Sequence, residues 1–490
     1  MKHVLRWYDY ITFNIYFLGL STLSQTLSGF VFPLLVQQFV GDTDKGTYLG
    51  TLRLWTLMVA LLAQAFWGIL SDRNTSRWGR RRPYILGGSL IDLIFIGGIA
   101  FSATLSGWTG YLVLFVMVVF LQISSNAAQA AQQGIIPDLV PEDKRGRFSA
   151  IKAVFEVPLP VIVVAGTVYI AGRIQGGSMT NSILLLFAAG MVLVCALLTL
   201  FAREKPLEEK LPPLDWAPVA RLLLMTALFT VIILGLGEGI KLFARLLQSI
   251  GDITLLLVIL GAAGLLAMGA AIVLGVWVSV RISVGAAARQ NPSFTWWVVN
   301  RLAFLASVAN IASFILYYLQ GRLGLHGEEA AGPAANLQVA IGILILVSAL
   351  ASGWLSDRFG HKRVVAAAGL IAALGTVIAI AVPNLNVIFV GGALIGAGAG
   401  MFYTANWALG TSIVPQGQAG RYLGISNLAG AGAGAVGSYI GGPIADYITA
   451  RVPESPGLGY VLLFVIFAVL FLASVLALTR VHEPSAQAVP

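Results

Sequence analysis

The chain has 490 residues, of which 58% are hydrophobic and 10% are charged, and its formal net charge is +9. The apolar fraction is well above the roughly 45–50% of soluble domains, which excludes an ordinary soluble protein. Apolar stretches of about 20 residues, long enough to cross a bilayer as helices, recur along the chain, whereas the short alternating segments of a β-barrel do not occur. We therefore expect an all-α membrane protein.

Apolar segments follow one another in two sets of six. The first set is predicted at 9–36, 48–70, 84–105, 109–135, 149–172 and 182–202, and the second at 294–320, 336–356, 363–383, 386–411, 422–448 and 458–479. Two more segments, 218–240 and 253–280, lie between the sets; the second carries no charge, and the first could lie at the membrane interface. Since one extra crossing would invert the second set, both should cross or neither, which predicts 14 spans with 12 as the alternative.

The Lys and Arg residues favour the 14-span arrangement. In it, 21 of the 30 lie on the predicted cytoplasmic side, seven lie outside, and Lys152 and Arg301 lie within helices. Cytoplasmic loops of membrane proteins carry such an excess. We therefore predict a multi-pass protein of the cell membrane with both termini in the cytoplasm, and the positive charge requires no nucleic-acid partner.

Two loop sequences occur twice. "GILSDRNTSRWGRRR" at 68–82 is repeated as "GWLSDRFGHKR" at 353–363, and "PEDKRGRFSAI" at 141–151 matches "PQGQAGRYLGI" at 415–425. Each copy follows the second or the fourth segment of its set. The chain is therefore predicted to consist of an N-terminal six-helix bundle, 1–203, a linker with two extra helices, 204–293, and a C-terminal six-helix bundle, 294–490.

These paired motifs, G-x-L-S-D-R followed by G-R-R or G-x-[KR]-R, resemble the loops of the major facilitator superfamily of secondary transporters. The resemblance covers nearly the whole chain apart from 204–293, and it implies two bundles related by a pseudo-twofold axis. Within that superfamily, "SRWGRRRPYI" and "PDLVP" are similar to the sugar:cation symporters of the sucrose and glycoside type. Those symporters usually carry an acid in the first helix or an Arg before the "DL", but here the first helix has no acid beyond Asp9, and Gln133 precedes "GIIPDL".

The repeated loops supply candidates for a conformational latch. Gly68 would let another helix approach closely, Asp72 can face a helix N-terminus, and the loop arginines can pair with acids such as Asp138. The resemblance implies a cytoplasmic latch that favours an outward-facing state; alternatively, the arginines only fix the topology. The candidate latch residues are Gly68, Asp72, Arg73, Arg80, Arg81, Asp138, Arg147, Gly353, Asp357, Arg358, Lys362, Arg363 and Arg421.

Polar side chains within the apolar segments are candidates for substrate binding, because a polar group in the membrane is costly unless it has a partner or a role. Gln122, Asn126, Gln129 and Gln133 share one helix face, and amides suit ligands rich in hydroxyl groups. The alternatives are helix-to-helix hydrogen bonds for the amides and plain packing for the aromatic residues. The remaining candidates are Gln25, Asn310, Tyr403, Asn406, Trp407 and Asn427.

Ionisable groups inside the segments are candidates for ion coupling. Lys152 and Glu156 lie four residues apart, so they share a helix face, beside Pro158. They form either a coupling switch or a permanent ion pair. Asp92 is the other candidate acid, and it could equally bond a neighbouring helix. Arg301 is expected to extend its side chain toward the cytoplasmic end of its helix.

No enzyme is predicted, because the four His residues lack metal-site spacing and no G-x-x-x-x-G-K-[ST] motif is present. We expect no cofactor and no metal, with H⁺ or Na⁺ as the coupling ion. The expected partners are a small-molecule substrate and the lipid bilayer, and the expected state is a monomer. Three functions stay open: a sugar or polar-solute symporter, a proton-coupled drug or metabolite exporter, and a membrane sensor or assembly protein on the same fold.

Overall fold

The computed structural model describes residues 6–141, 144–174, 181–202, 204, 216–285, 292–414 and 419–482. Within these residues the chain is helical and contains no β-strand. Thirteen of the described helices are long and apolar enough to cross a membrane. A further helix, Ala419–Arg451, has 33 residues. The predicted all-α membrane fold is therefore confirmed, with 13 to 14 candidate spans.

The helices follow the predicted order. The first six are α1 (Asp9–Val40), α2 (Lys45–Asp72), α3 (Arg82–Ser102), α4 (Gly107–Leu139), α5 (Arg145–Glu156 and Pro158–Ile174) and α6 (Asn181–Thr199). Two inserted helices follow, α7 (Ala217–Leu246) and α8 (Ile253–Ser283). The last six are α9 (Pro292–Leu323), α10 (Ala331–Phe359), α11 (His361–Ala381), α12 (Leu385–Ile413), α13 (Ala419–Arg451) and α14 (Leu458–Leu478).

Two helices of the first set are irregular. A π-helical turn, Leu27–Val31, interrupts α1 directly before Pro33, whose missing N–H prevents a regular ladder at this point. Helix α5 stops at Glu156 and restarts at Pro158 for the same reason. The break places Glu156 at a helix end.

The helices group into two compact units. The first unit comprises Met1–Gly41, Trp55–Ala220 and Gly327–Val339. In it α3 packs along α4, and α1 packs on α5 and α6. Gly88 of α3 makes the first of these contacts possible, because a Cβ there would lie 2.8 Å from the carbonyl oxygen of Ser124.

The second unit comprises Asp42–Leu54, Arg221–His326 and Ala340–Pro490. In it α11 packs along α12, and α9 packs on α13 and α14. The inserted helices belong to this unit: the Phe229 ring of α7 fits between Gly275 of α8 and Gly432 of α13. The Tyr439 hydroxyl of α13 also donates to Glu238 Oε1 of α7 at 2.7 Å. The division of the chain at residues 204 and 294 stays a prediction.

Candidate functional site

An ion-paired cluster occupies the loop between α2 and α3 in the first unit. The Arg81 side chain is only 6% exposed, and its Nη2 atom lies 2.5 Å from Asp72 Oδ1 and 3.0 Å from Asp138 Oδ2. Arg81 Nη1 donates to the Ser71 hydroxyl at 2.8 Å, and Arg80 Nη2 donates to Asp138 Oδ2 at 2.5 Å. The cluster thus ties the end of α2 and the end of α4 to the start of α3.

Glu204 joins this ion-paired cluster, and the sequence analysis missed it. Its carboxylate accepts the backbone N–H of Arg81 at 2.7 Å and that of Arg82 at 3.3 Å, which satisfies the first N–H groups of α3. Burial raises the pKa of the Glu204 carboxyl group, although those N–H groups act in the opposite direction. The sequence does show an acidic residue in the charged stretch after α6, but its position along the chain does not predict a contact with the start of α3.

The other candidate latch residues lie outside these contacts. Among the ion pairs of the described residues, none involves Arg73, Arg147, Asp357 or Arg363. Lys362 donates to the carbonyl oxygen of Val481 at 2.6 Å. The guanidinium of Arg358 lies 5.5 Å from the ring centres of Trp354 and Phe359. The Arg421 side chain lies outside the described residues.

The glycine that supports the cluster is not the expected one. A Cβ at Gly68 would lie 4.0 Å from that of Ala130, and one at Gly353 would meet nothing within 4 Å. The expectation that Gly68 allows close helix packing is therefore wrong. Gly134 of α4 has this role, because the guanidinium of Arg81 occupies the space that a Cβ would need.

Polar groups in the interior of the first unit connect α1, α3 and α4. Asp92 of α3 is fully buried and accepts a hydrogen bond from the Ser124 hydroxyl of α4, and its Oδ2 has no partner among the described residues. The Tyr16 and Ser89 hydroxyls are 2.9 Å apart. Gln132 Nε2 donates to the Phe13 carbonyl at 2.6 Å. The buried carboxyl group of Asp92 thus lies among hydroxyl groups and forms no ion pair with any described residue.

The amides of α4 differ in their surroundings. Asn126 is buried, and its Nδ2 donates to the Gln122 carbonyl oxygen at 2.7 Å. Gln122 and Gln129 are half-buried, and Gln133 is exposed. Gln25 of α1 is half-buried, and its Oε1 is buried without a partner among the described residues. Gln122 and Gln129 in the row of amides on α4, and Gln25 on α1, therefore retain hydrogen-bonding capacity.

The predicted pair on α5 is formed. Lys152 Nζ lies 3.3 Å from Glu156 Oε1, and the two side chains are about one-third exposed. Lys152 Nζ also lies 4.5 Å from the ring centre of Phe17 on α1. The pair therefore lies at the break of α5, against α1.

A second polar group is centred on Asn406 of α12 in the second unit. Asn406 Oδ1 accepts from Arg301 Nη1 at 3.1 Å, and Asn406 Nδ2 donates to Asn300 Oδ1 at 2.8 Å. Trp297 Nε1 donates to the Asn406 carbonyl at 3.0 Å, and Asn300 Nδ2 donates to the Ser474 carbonyl at 2.8 Å. Asn406 thus connects α9 and α12 through Arg301, and the expectation that Arg301 extends toward its helix end stays a prediction.

The other candidates of this unit divide into two kinds. Asn310 is fully buried, and its Nδ2 donates to the Ala433 carbonyl of α13 at 3.1 Å, which is helix-to-helix hydrogen bonding. Tyr403 and Trp407 are 38% and 41% exposed and lie one turn apart on α12. The Asn427 side chain lies outside the described residues. No group of three or more His, Cys, Asp or Glu in the described part of the chain is placed to hold a metal ion.

The helical spans and the duplicated loop motif are those of a multi-pass integral membrane transporter. The sequence profile of the Major Facilitator Superfamily matches residues 16–321 and 297–490, and the chain belongs to that family. Its family and fold are those of transporters and not of enzymes.

Similarity to individual proteins is lower. A sucrose transport protein of rice, Oryza sativa subsp. japonica, is 31% identical over 98 residues, which are 17% of this chain and 18% of that protein. A mutant of the nucleoside transporter NupG has the same fold, with a TM-score of 0.64 and 11% identity over 97% of this chain and 100% of that one. The xylose transporter XylE from E. coli has a TM-score of 0.62 and 15% identity, over 98% and 97% of the two chains.

Proposed function

We propose that this protein carries a sugar or a related polyhydroxylated solute across the cell membrane by cation-coupled alternating access. The observation that carries the proposal is the row of amides on α4, where Gln122 and Gln129 stay half-buried. Each amide both donates and accepts, as sugar hydroxyl groups do. The local similarity to a sucrose transport protein supports the same substrate class.

Asp92 is our candidate for the coupling site, with H⁺ as the coupled ion. It is fully buried and has hydroxyl neighbours but no ion pair among the described residues. A carboxylate without a countercharge is costly in a membrane interior, and uptake of a proton removes that cost. Lys152 and Glu156 neutralise each other and are the second candidate site. Na⁺ is the alternative coupling ion.

The proposed orientation places both termini in the cytoplasm, and the proposed functional unit is a monomer. The excess of Lys and Arg on one side of the predicted spans supports this orientation. A cysteine-accessibility test suits this chain, because its one natural cysteine, Cys195, is buried. An R77C variant should react with a membrane-impermeant maleimide only after the cells are opened.

Uptake into proteoliposomes tests the function. The purified protein is reconstituted, a proton or sodium gradient is imposed, and radiolabelled sucrose, xylose and a lipophilic cation are supplied in turn. We expect gradient-driven sugar uptake that protein-free vesicles lack. Extrusion of the lipophilic cation without sugar uptake would favour the exporter, and no flux of any solute would favour the non-transporting protein.

Two variants separate binding from coupling. Gln129→Leu removes an amide of the row and should raise the half-saturating sugar concentration about tenfold, because one or two hydrogen bonds are lost. Asp92→Asn should abolish accumulation against a gradient while sugar exchange at equal concentrations continues. If Asp92→Asn still accumulates sugar, the coupling assignment is wrong, and the sugar assignment is unaffected.

A further inference from the structure

A guanidinium group lies between aromatic rings in the second unit. Arg301 is nine residues into α9, about 14 Å along the helix from Pro292. Its Cζ atom lies 5.5 Å from the ring centre of Trp407 and 5.9 Å from that of Trp297. Its Nη1 atom donates to Asn406 Oδ1, and this is the one hydrogen bond of the guanidinium to the described residues.

No carboxylate among the described residues balances this charge. The ion pairs of these residues do not include Arg301. Its Nε atom is buried and has no acceptor in the described part of the chain. Aromatic faces and an amide oxygen stabilise a cation without neutralising it. A retained charge of this kind in a membrane helix indicates a function.

Asn406 holds Arg301 on one side, and two partly exposed aromatic side chains of α12 lie near it. Asn406 is fully buried and is held by Asn300, which is bonded to Ser474, so the guanidinium has a rigid support. Tyr403 and Trp407 have exposed side chains next to it. An incoming ligand would therefore meet a positioned cation beside two exposed aromatic side chains.

We infer that Arg301 binds an anionic oxygen group of the transported solute, so that the substrate is an acidic sugar or a similar polyhydroxylated anion. This inference rests on the proposed function, since it specifies the substrate class of the same transporter. The Nε and Nη2 atoms form an edge that matches the two oxygens of a carboxylate, and it also accepts a phosphate. The exposed face of Trp407 would pack against the sugar ring.

A comparison of ligands tests the substrate class on the wild-type protein. Binding of glucose, glucuronate, glucose 6-phosphate and inorganic phosphate to the purified protein is measured by calorimetry. We expect at least one acidic sugar to bind about tenfold or more tightly than glucose, because charge-assisted hydrogen bonds are added. The acidic sugar that binds more tightly shows whether the site prefers a carboxylate or a phosphate. Equal binding of glucose and the acidic sugars would overturn the inference, and so would binding of inorganic phosphate alone.

Variants then assign the preference to Arg301. R301Q should lower the preference for the acidic sugar over glucose to about one, and R301K should keep part of this preference because it retains the charge but not the planar fork. R281Q is the matched control, since Arg281 is exposed and lies 5.1 Å from the ring centre of Trp277. A preference that persists in R301Q, or that R281Q loses equally, would refute the assignment. If R301Q does not fold, a lower preference in R301K than in R281Q supports the assignment, and an equal preference in the two variants refutes it.

Uptake separates this inference from the proposed function. Gradient-driven uptake of neutral sugars with no preference for acidic ones would overturn the inference and leave the sugar transporter intact. Absence of all sugar uptake would overturn both.

Discussion

Substitution of Asp138 by Asn should weaken the ion-paired cluster around Arg81 more than the same change at Asp72. One oxygen of Asp138 accepts from Arg80 Nη2 at 2.5 Å and from Arg81 Nε at 3.0 Å, and the side chain is 27% exposed. In Asp138→Asn a neutral amide replaces the carboxylate that accepts these charge-assisted hydrogen bonds, which should lower the unfolding free energy by about 2 kcal/mol. Asp72 is 53% exposed, so solvent screening limits the cost of Asp72→Asn to less than about 1 kcal/mol.

Both changes in unfolding free energy are measured by reversible unfolding of the purified variants in mixed micelles with increasing dodecyl sulfate. Arg77→Gln is the control, since Arg77 is exposed in the same loop and should change the stability by less than about 0.5 kcal/mol. If Asp72→Asn costs as much as Asp138→Asn, or if Asp138→Asn behaves as the control does, the argument from burial is refuted.

Asp72 and its counterpart in the repeated loop, Asp357, allow a test of the proposed latch. Asp72→Asn and Asp357→Asn should reduce uptake several-fold while expression and membrane insertion stay normal, because the aspartate charges are expected to favour one conformation and contribute little to folding. Radiolabelled uptake, normalised to protein in the vesicles, is the measurement. Normal uptake in both purified variants would contradict the latch.

Three further predictions concern packing and pH. Gly134→Ala should destabilise the first unit by about 1–3 kcal/mol in the same unfolding assay, because its Cβ needs the space of a buried guanidinium, whereas Gly68→Ala should be neutral. Phe229→Ala should cost about 3 kcal/mol through the cavity that it leaves, and Val231→Ala on the exposed face of the same helix less than about 1 kcal/mol. Burial raises the pKa of the Glu204 carboxyl group above its ordinary 4.5, so the folded chain binds the carboxyl proton more tightly than the unfolded chain does. This contribution to stability is present at lower pH and is lost as the pH rises through the folded-state pKa. The unfolding free energy of the wild type relative to that of Glu204→Gln should therefore fall as the pH rises through this pKa. A difference between the two proteins that does not change with pH would contradict the prediction.

The sequence alone predicted the membrane fold and the order of the helices. Apolar runs long enough to cross a bilayer form helices there, because each backbone group without a hydrogen bond is costly in hydrocarbon. The ends of the helices were less accurate. The segment predicted at 109–135 extends over Gly107–Leu139, and that at 218–240 over Ala217–Leu246. Hydropathy marks the apolar part of a helix, whereas backbone hydrogen bonds continue into its polar ends.

Local spacing also identified part of the site. Residues four apart on one helix share a face, so the contacts of Lys152 with Glu156 and of Asn126 with Gln122 could be anticipated from the sequence. The loop motif likewise drew attention to Arg80, Arg81 and Asp138. In each case the chain itself brings the partners near one another, or the repeated motif marks them.

Only the tertiary structure decided which groups are buried together. Glu204 lies 123 residues from Arg81, and Asn406 lies 105 residues from Arg301, so no periodicity relates either pair. The support of Arg81 by Gly134 rather than by Gly68 depends on how closely α4 approaches the loop. The sequence determines which helices form, through local hydrogen bonding and the membrane. Packing between helices determines which polar side chains find partners. That Arg301 has no ion pair with any described residue is visible only in the packed structure.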